Sequence, residues 1–217
     1  MKHILILGAG PGLSRSVAGL FGAKGFTVSL VARNEEKLRG EVALLREKGI
    51  QADYHVADIG KESELTSLLN HFRQEERLPE VILYNAFANV AGSFGEESWD
   101  GLKKELDIHV GGAFNLLKEM LPLCCEAGRG NLFFTGGGFG ITPSPDYLGV
   151  GLGKAALRNL VQAAGAQVRG SGVHVATVTV MGFIGGEDPR YAPDRIAEQY
   201  WRLYVQRPED FELEIVY

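Results

Sequence analysis

Cysteine is nearly missing from this chain: two residues in 217, Cys124 and Cys125, side by side in an apolar helical stretch. Neighbouring cysteines bridge poorly and no paired spacing exists, which excludes a disulfide framework; reduced thiols packed as small core hydrophobes are expected. Long apolar runs are missing as well. The opening run, His3–Leu7, is too short for a secretory segment or a membrane span, so a cytoplasmic protein without membrane contact is expected. There is no basic excess either. Lys plus Arg is 22 against 27 for Asp plus Glu, a net charge of -5, which gives no general attraction to nucleic acid or anionic lipid. An anionic ligand must therefore be caught by a local site. The five histidines, His3, His55, His71, His109 and His174, are scattered without metal-ligand spacing, and no metal site is readable.

What is present is ordinary for a globular protein, 45% apolar and 23% charged residues, in a length that fits one domain over residues 1–217. Short apolar runs recur at His3–Leu7, Thr27–Val31, Ala52–Val56, Val81–Tyr84, Asn131–Thr135 and Val173–Val180, with a last strand at Phe211–Val216. Runs apolar on both faces suit a buried parallel sheet. Between them lie helical patterns at Gly12–Lys24, Glu35–Lys48, Lys61–Arg77, Trp99–Ala127, Gly149–Arg169 and Pro193–Gln206. In the second of these, Leu38, Val42 and Leu45 form one stripe and Gly49 supplies the stop. Strand–helix alternation implies right-handed crossovers. The expected fold is α/β: a Rossmann-type, doubly wound, mostly parallel sheet of seven strands with helices on both faces.

The first strand runs into Gly8-Ala9-Gly10-Pro11-Gly12-Leu13-Ser14 and then a helix. Residues without Cβ before a helix N-terminus let backbone amides approach a pyrophosphate, and this turn follows the first strand, where open α/β sheets bind ligands. A dinucleotide is the expected partner. The end of the second strand discriminates which one, because NAD-preferring folds need a carboxylate there for the ribose hydroxyls. This chain has Ala32-Arg33-Asn34. Arg33 offers a fork to a 2′-phosphate, and Arg15 is expected to add a second positive charge, so NADP(H) is favoured over NAD(H). The competing reading pairs Arg33 with Glu35 or Glu36 on a solvated face.

With these motifs the chain resembles the short-chain dehydrogenase/reductase family over nearly its whole length. The likeness rests on Gly8–Ser14, Asp58-Ile59, Tyr84-Asn85-Ala86, Leu106–Val110, Gly130–Gly140 and Gly153-Lys154-Ala155-Ala156-Leu157. The resemblance implies that Asp58 and Ile59 frame the adenine, that Asn85 and Ala86 line the ribose side, that Lys154 binds the nicotinamide ribose, and that Ile184 contributes to the cofactor site. It also implies a tyrosine acid four residues before the lysine, a serine for the substrate carbonyl and an asparagine holding a relay water. Here those positions carry Val150, the glycines of Thr135-Gly136-Gly137-Gly138, and His109. Phe87 replaces the glycine closing the strand-four motif, and Met181-Gly182 stands for the usual proline-glycine.

Lys154 is retained, and Tyr147 and His109 are the candidate stand-ins for the proton donor, with Thr135 as a possible hydroxyl. Each has a structural alternative: a loop ring packed on the surface, a buried satisfied histidine, a strand threonine. Two readings stay open: an atypical NADP(H)-dependent oxidoreductase acting on a small carbonyl or alcohol, and a cofactor-binding pseudoenzyme that senses or docks without turnover. The short segment Ile184–Ala192 implies an open cleft or a small substrate. The two long helices carry more apolar surface than one sheet face needs, so a homodimer or homotetramer is expected.

Overall fold

The computed structural model describes residues 2–74, 78–88 and 92–217. Seven strands lie in the order β3-β2-β1-β4-β5-β6-β7: β1 His3–Leu7, β2 Thr27–Ala32, β3 Ala52–Val56, β4 Val81–Tyr84, β5 Gly130–Gly137, β6 Val173–Val180 and β7 Glu214–Val216. The sheet expected to be mostly parallel is parallel at every described pairing. Strand order reverses at β1, with β2 on one side and β4 on the other. That reversal opens a crevice at the carboxyl ends of the strands.

The helices are α1 Leu13–Ala23, α2 Glu35–Glu47, α3 Glu62–Gln74, α4 Trp99–Leu106, α5 Gly112–Ala127, α6 Leu148–Gln167 and α7 Pro193–Tyr204. The end of the span expected at Lys61–Arg77 lies partly outside the described residues. Period-two alternation in β1 divides the core. Ile4 and Ile6 join Val17, Phe21, Leu38 and Tyr200 beneath α1, α2 and α7. Leu5 and Leu7 face Leu65, Leu116, Met120 and Val161 beneath α3, α5 and α6. Burial on both faces is why β1, β4 and β6 read as continuous apolar runs.

Three expectations are corrected. The single helix Trp99–Ala127 is broken by a π-helical turn, Asp107–Gly111, which places His109 in the interior. Such turns occur often at functional sites. The last strand begins at Glu214 instead of Phe211, because Phe211 stacks on His174 at 4.0 Å and a 3-10 turn, Pro208–Asp210, precedes it. Of the two thiols only Cys124 is in the core, where burial pushes its pKa up to about 11, while Cys125 is exposed. Adjacent helical positions point about 100° apart, so one neighbour faces outward.

Close approach of α5 to the sheet needs Gly112: a Cβ there would collide with the Tyr84 hydroxyl and the Ile59 carbonyl. Gly112→Ala is expected to lower stability by about 2 kcal/mol, or about 5 °C in melting temperature, read by thermal denaturation.

Candidate functional site

The crevice is built from the ends of β1, β2 and β4. The amides of Gly8 and Ala9 both donate to the Val31 carbonyl, at 3.0 and 2.8 Å, which fixes the start of the glycine turn against β2. Gly8 has φ 86°, and a Cβ on it would lie 2.6 Å from the Ala86 backbone, so only glycine lets β1 and β4 emerge this close together. Its amide is thereby spent, and its part is steric. Gly10 and Gly12 differ, since a Cβ on either would enter open space. Gly12 begins α1 with φ 116°; no side chain caps the helix and its first turn holds no acid. The orphan amides and the positive end of the helix dipole are left to an anion.

The resulting cleft is about 300 Å³ and is lined by Gly8, Gly10, Leu13, Ser14, Arg33, Asp58, Ile59, Asn85 and Ala86 among the expected residues, with Ala9, Pro11, Phe87 and Ile108 in addition. A larger hollow, about 770 Å³, lies along α3 against Glu62, Thr66, Asn70 and Gln74. That hollow is the polar face of one helix, with no converging groups from other elements, and carries no chemistry comparable to the cleft.

The two arginines separate. Arg33 is exposed at the cleft and makes no ion pair or hydrogen bond among the described residues, while Glu35 is taken by Arg39 at 2.8 Å and by Tyr54. Arg15, expected as a second phosphate ligand, instead forms a two-pronged pair with the buried Glu41, both bonds 2.6 Å. Its charge is compensated inside the fold. Asp58 accepts from the Gly60 amide at 3.1 Å, and its own amide donates to Glu64 at 2.7 Å, which fixes the edge of the cleft after β3.

Ser14 and Asn85 line the cleft and their side chains are hydrogen-bonded to each other and to the fold. The Ser14 hydroxyl donates to the Gly8 carbonyl at 3.0 Å and accepts from the Asn85 amide at 2.8 Å. The Thr135 hydroxyl donates to Asn85 at 2.7 Å and lies 2.8 Å from the Tyr200 hydroxyl, which is wholly buried in α7. Since Thr135 gives its proton to Asn85, Tyr200 is the donor to Thr135.

Behind the cleft, Lys154 is buried and its ammonium donates to the Thr135 carbonyl at 2.7 Å. Burial lowers its pKa to about 8. Its Nζ lies 5.5 Å from the centre of the Phe87 ring, and that ring meets His109 edge-on at 5.5 Å. The histidine Nε2–H donates to the Ala88 carbonyl at 3.1 Å. Burial first, then the Lys154 charge, lower its pKa to about 3, so it is neutral at physiological pH. Tyr147 begins α6 and stacks on Phe139 at 4.9 Å. It stands seven residues before Lys154, about 10 Å along the helix axis, and the two share no hydrogen bond. Ile184 is exposed and lies outside the cleft's lining.

Residues 2–185 match the family model described as short chain dehydrogenase. The chain belongs to the short-chain dehydrogenase family. Its relatives include an oxidoreductase of Sarocladium schorii, 23% identical over 206 residues, covering 95% of this chain and 80% of the relative. An uncharacterised oxidoreductase of Listeria monocytogenes is 25% identical over 182 residues, covering 82% and 72%. Among solved structures, a short-chain dehydrogenase from Rhodopseudomonas palustris superposes with a TM-score of 0.87 at 27% identity, covering 99% of this chain and 96% of that one. A metagenomic short-chain oxidoreductase in complex with NADP gives a TM-score of 0.90 at 22% identity, covering 100% and 96%, a likeness of fold.

The positions around Lys154 where the resemblance implies a tyrosine, a serine and an asparagine carry Val150, glycine and His109. Val150, one turn before Lys154, is buried. Glycines 136 to 138 hold the places around the expected serine, and contact explains two of them: a Cβ on Gly136 would strike Thr179, and one on Gly138 would come 3.1 Å from Met181. His109 packs on Gly153, where a Cβ would lie 2.8 Å from its ring. Sequence reasoning passed over Tyr200, Phe139, Phe183 and Glu105. Glu105 is buried against Gly149 with one carboxyl oxygen unpartnered among the described residues, and burial, followed by the nearby Glu97, raises its pKa. Spacing held one clue to it: Glu105 precedes His109 by one turn, as Gly149 precedes Gly153. Among the described residues no group of three metal-ligating side chains occurs, and no helix is long and apolar enough to cross a membrane.

A buried neutral histidine destabilises the fold as pH falls. Its pKa is below the unfolded value of about 6.5, so its contribution is complete above that pH and is lost progressively toward pH 3. His109→Asn, a polar side chain that does not titrate, is expected to reduce the stability lost between pH 7 and pH 5 by about 2 kcal/mol in denaturant titrations. An identical loss in both proteins would contradict a low folded pKa.

Proposed function

We propose that this short-chain dehydrogenase is an NADP(H)-dependent oxidoreductase acting on a small carbonyl or alcohol. The observation that carries the reading is Arg33, a guanidinium at the cleft with no partner among the described residues, in the same cleft as the uncapped start of α1. A 2′-phosphate would take the first and a pyrophosphate the second. The NADP bound to the metagenomic relative of the same fold supports this choice. Asp58 and Ile59 would hold the adenine side, and Asn85, Ala86 and Lys154 the ribose and nicotinamide side.

The bound dinucleotide would supply or accept hydride at its nicotinamide ring. The chain itself contributes position and charge. Asn85, locked by Ser14 and Thr135, holds the end of β4, and Lys154, held by the Thr135 carbonyl, places a cation where negative charge develops on a substrate oxygen. Val150 has no transferable proton, and this favours a second reading: a dinucleotide-binding sensor without turnover. NADPH consumption against a panel of carbonyl compounds separates the two. The protein is further proposed to form a homodimer or homotetramer through α5 and α6, whose Phe114 and Leu152 are 52% and 46% exposed.

Arg33→Ala is expected to weaken NADPH binding about 10- to 100-fold while changing NADH binding less than about 3-fold, read from nucleotide fluorescence. Equal weakening of both would remove the 2′-phosphate assignment.

A further inference from the structure

Resting on the oxidoreductase reading, we infer that the substrate of this site is a flat conjugated dicarbonyl, a quinone, held against a wall of aromatic rings. The wall is Phe139, Tyr147 and Phe183. Phe139 and Tyr147 are stacked at 4.9 Å and 15°, and Phe183 meets them at 6.1 and 6.2 Å. The three rings come from the segment after β5, the start of α6 and the segment after β6, so they converge at the carboxyl edge of the sheet where ligands of open α/β folds bind.

The wall continues into the site of Lys154. A Cβ on Gly140, next to Phe139, would lie 2.7 Å from the Lys154 backbone, and one on Gly137 would lie 3.3 Å from the lysine Cγ. The segment that carries Phe139 is therefore packed directly on α6 at Lys154, which fixes the ring wall relative to the lysine.

Phe183 is 65% exposed, yet its backbone is held. The Met181 amide donates to the Tyr217 carbonyl at 2.7 Å, the Gly186 amide donates to the Phe183 carbonyl at 3.0 Å, and a side chain on Gly182 would strike the Tyr191 ring. A large ring fixed toward water at the edge of the site is preorganised for stacking, since its ordering cost is met in the free protein.

A substrate whose reduced form is a weak base suits this site better than a saturated carbonyl. Hydride addition to a saturated ketone leaves an alkoxide, which needs a proton donor at once, and that position holds Val150. His109 is neutral with its N–H spent on Ala88. A quinone would accept on oxygen the hydride from C4 of the dihydronicotinamide, the C–H bond breaking as an O–H bond forms; the two electrons travel with the hydride, the dinucleotide is left as NADP+, and the quinone becomes a hydroquinone monoanion. Its charge is that of a phenolate, whose conjugate acid has a pKa of about 10, so it leaves and takes its proton from water. Lys154 supplies the compensating charge.

The full-length protein, saturated with NADP+, is titrated calorimetrically with 1-naphthol and with cyclohexanol. Background-corrected NADPH oxidation is then followed with 1,4-naphthoquinone and with cyclohexanone. 1-Naphthol is expected to bind at least about tenfold more tightly than cyclohexanol, and naphthoquinone to be reduced at least about 100-fold faster than cyclohexanone. Phe183→Ala and Phe183→Leu, at an exposed position, are each expected to weaken 1-naphthol about tenfold and to leave NADP+ binding unchanged. Cyclohexanol binding as well as 1-naphthol, Phe183→Leu retaining full 1-naphthol affinity, or cyclohexanone turned over in preference would overturn the quinone assignment and leave the oxidoreductase reading standing. A protein that binds no NADP+ would overturn both.

Discussion

One line of hydrogen bonds connects the glycine turn through β4 and β5 to α7. It runs from the Tyr200 hydroxyl to Thr135, from Thr135 to the Asn85 carbonyl oxygen, and from the Asn85 amide through Ser14 to the Gly8 carbonyl. Each donor has one acceptor, so the chain has a single direction and the Asn85 side chain a single orientation. Buried polar groups are costly when unpaired, and removing any hydroxyl from this line strands its neighbours. The glycine turn, the end of β4, β5 and α7 are thereby held in one geometry, and the cleft inherits it.

The same residues explain how charge is arranged. The Thr135 carbonyl carries the Lys154 ammonium while its hydroxyl serves Asn85, so one residue of β5 fixes both the cation and the cleft-lining end of β4. Among the described residues no carboxylate pairs with Lys154; it is desolvated, with its pKa lowered to about 8, and faces an aromatic ring. Arg15 presents the opposite solution, a guanidinium whose charge is returned to Glu41 and so to the packing of α1 on α2. Among the described residues Arg33, the other arginine near the turn, has no hydrogen bond or ion pair.

The surroundings of Val150 are closely packed. Val150 is buried, His109 sits in a π-helical turn pressed on Gly153, and Glu105 is pressed on Gly149. The glycines of α6 let α4 and the π-helical turn approach closely, and the volume gained is filled by a neutral imidazole and a carboxyl group. Rings from Phe139, Tyr147 and Phe183 close the other side.

Much was legible in residue order alone. Period-two and period-3.6 patterns located the strands and helices, because burial of one face or both leaves that record directly. The nine cleft-lining residues expected from the motifs are contiguous with the ends of β1, β2, β3 and β4, so locating the strands located them. What distance in sequence conceals was decided by the tertiary structure. Arg15 meets Glu41 across a helix interface, Tyr200 reaches Thr135 across 65 positions, and Tyr147 turns to Phe139 and Phe183. Side-chain chemistry sets what each group is able to do; which partner it does it with depends on packing between elements, and one-dimensional spacing carries no term for that.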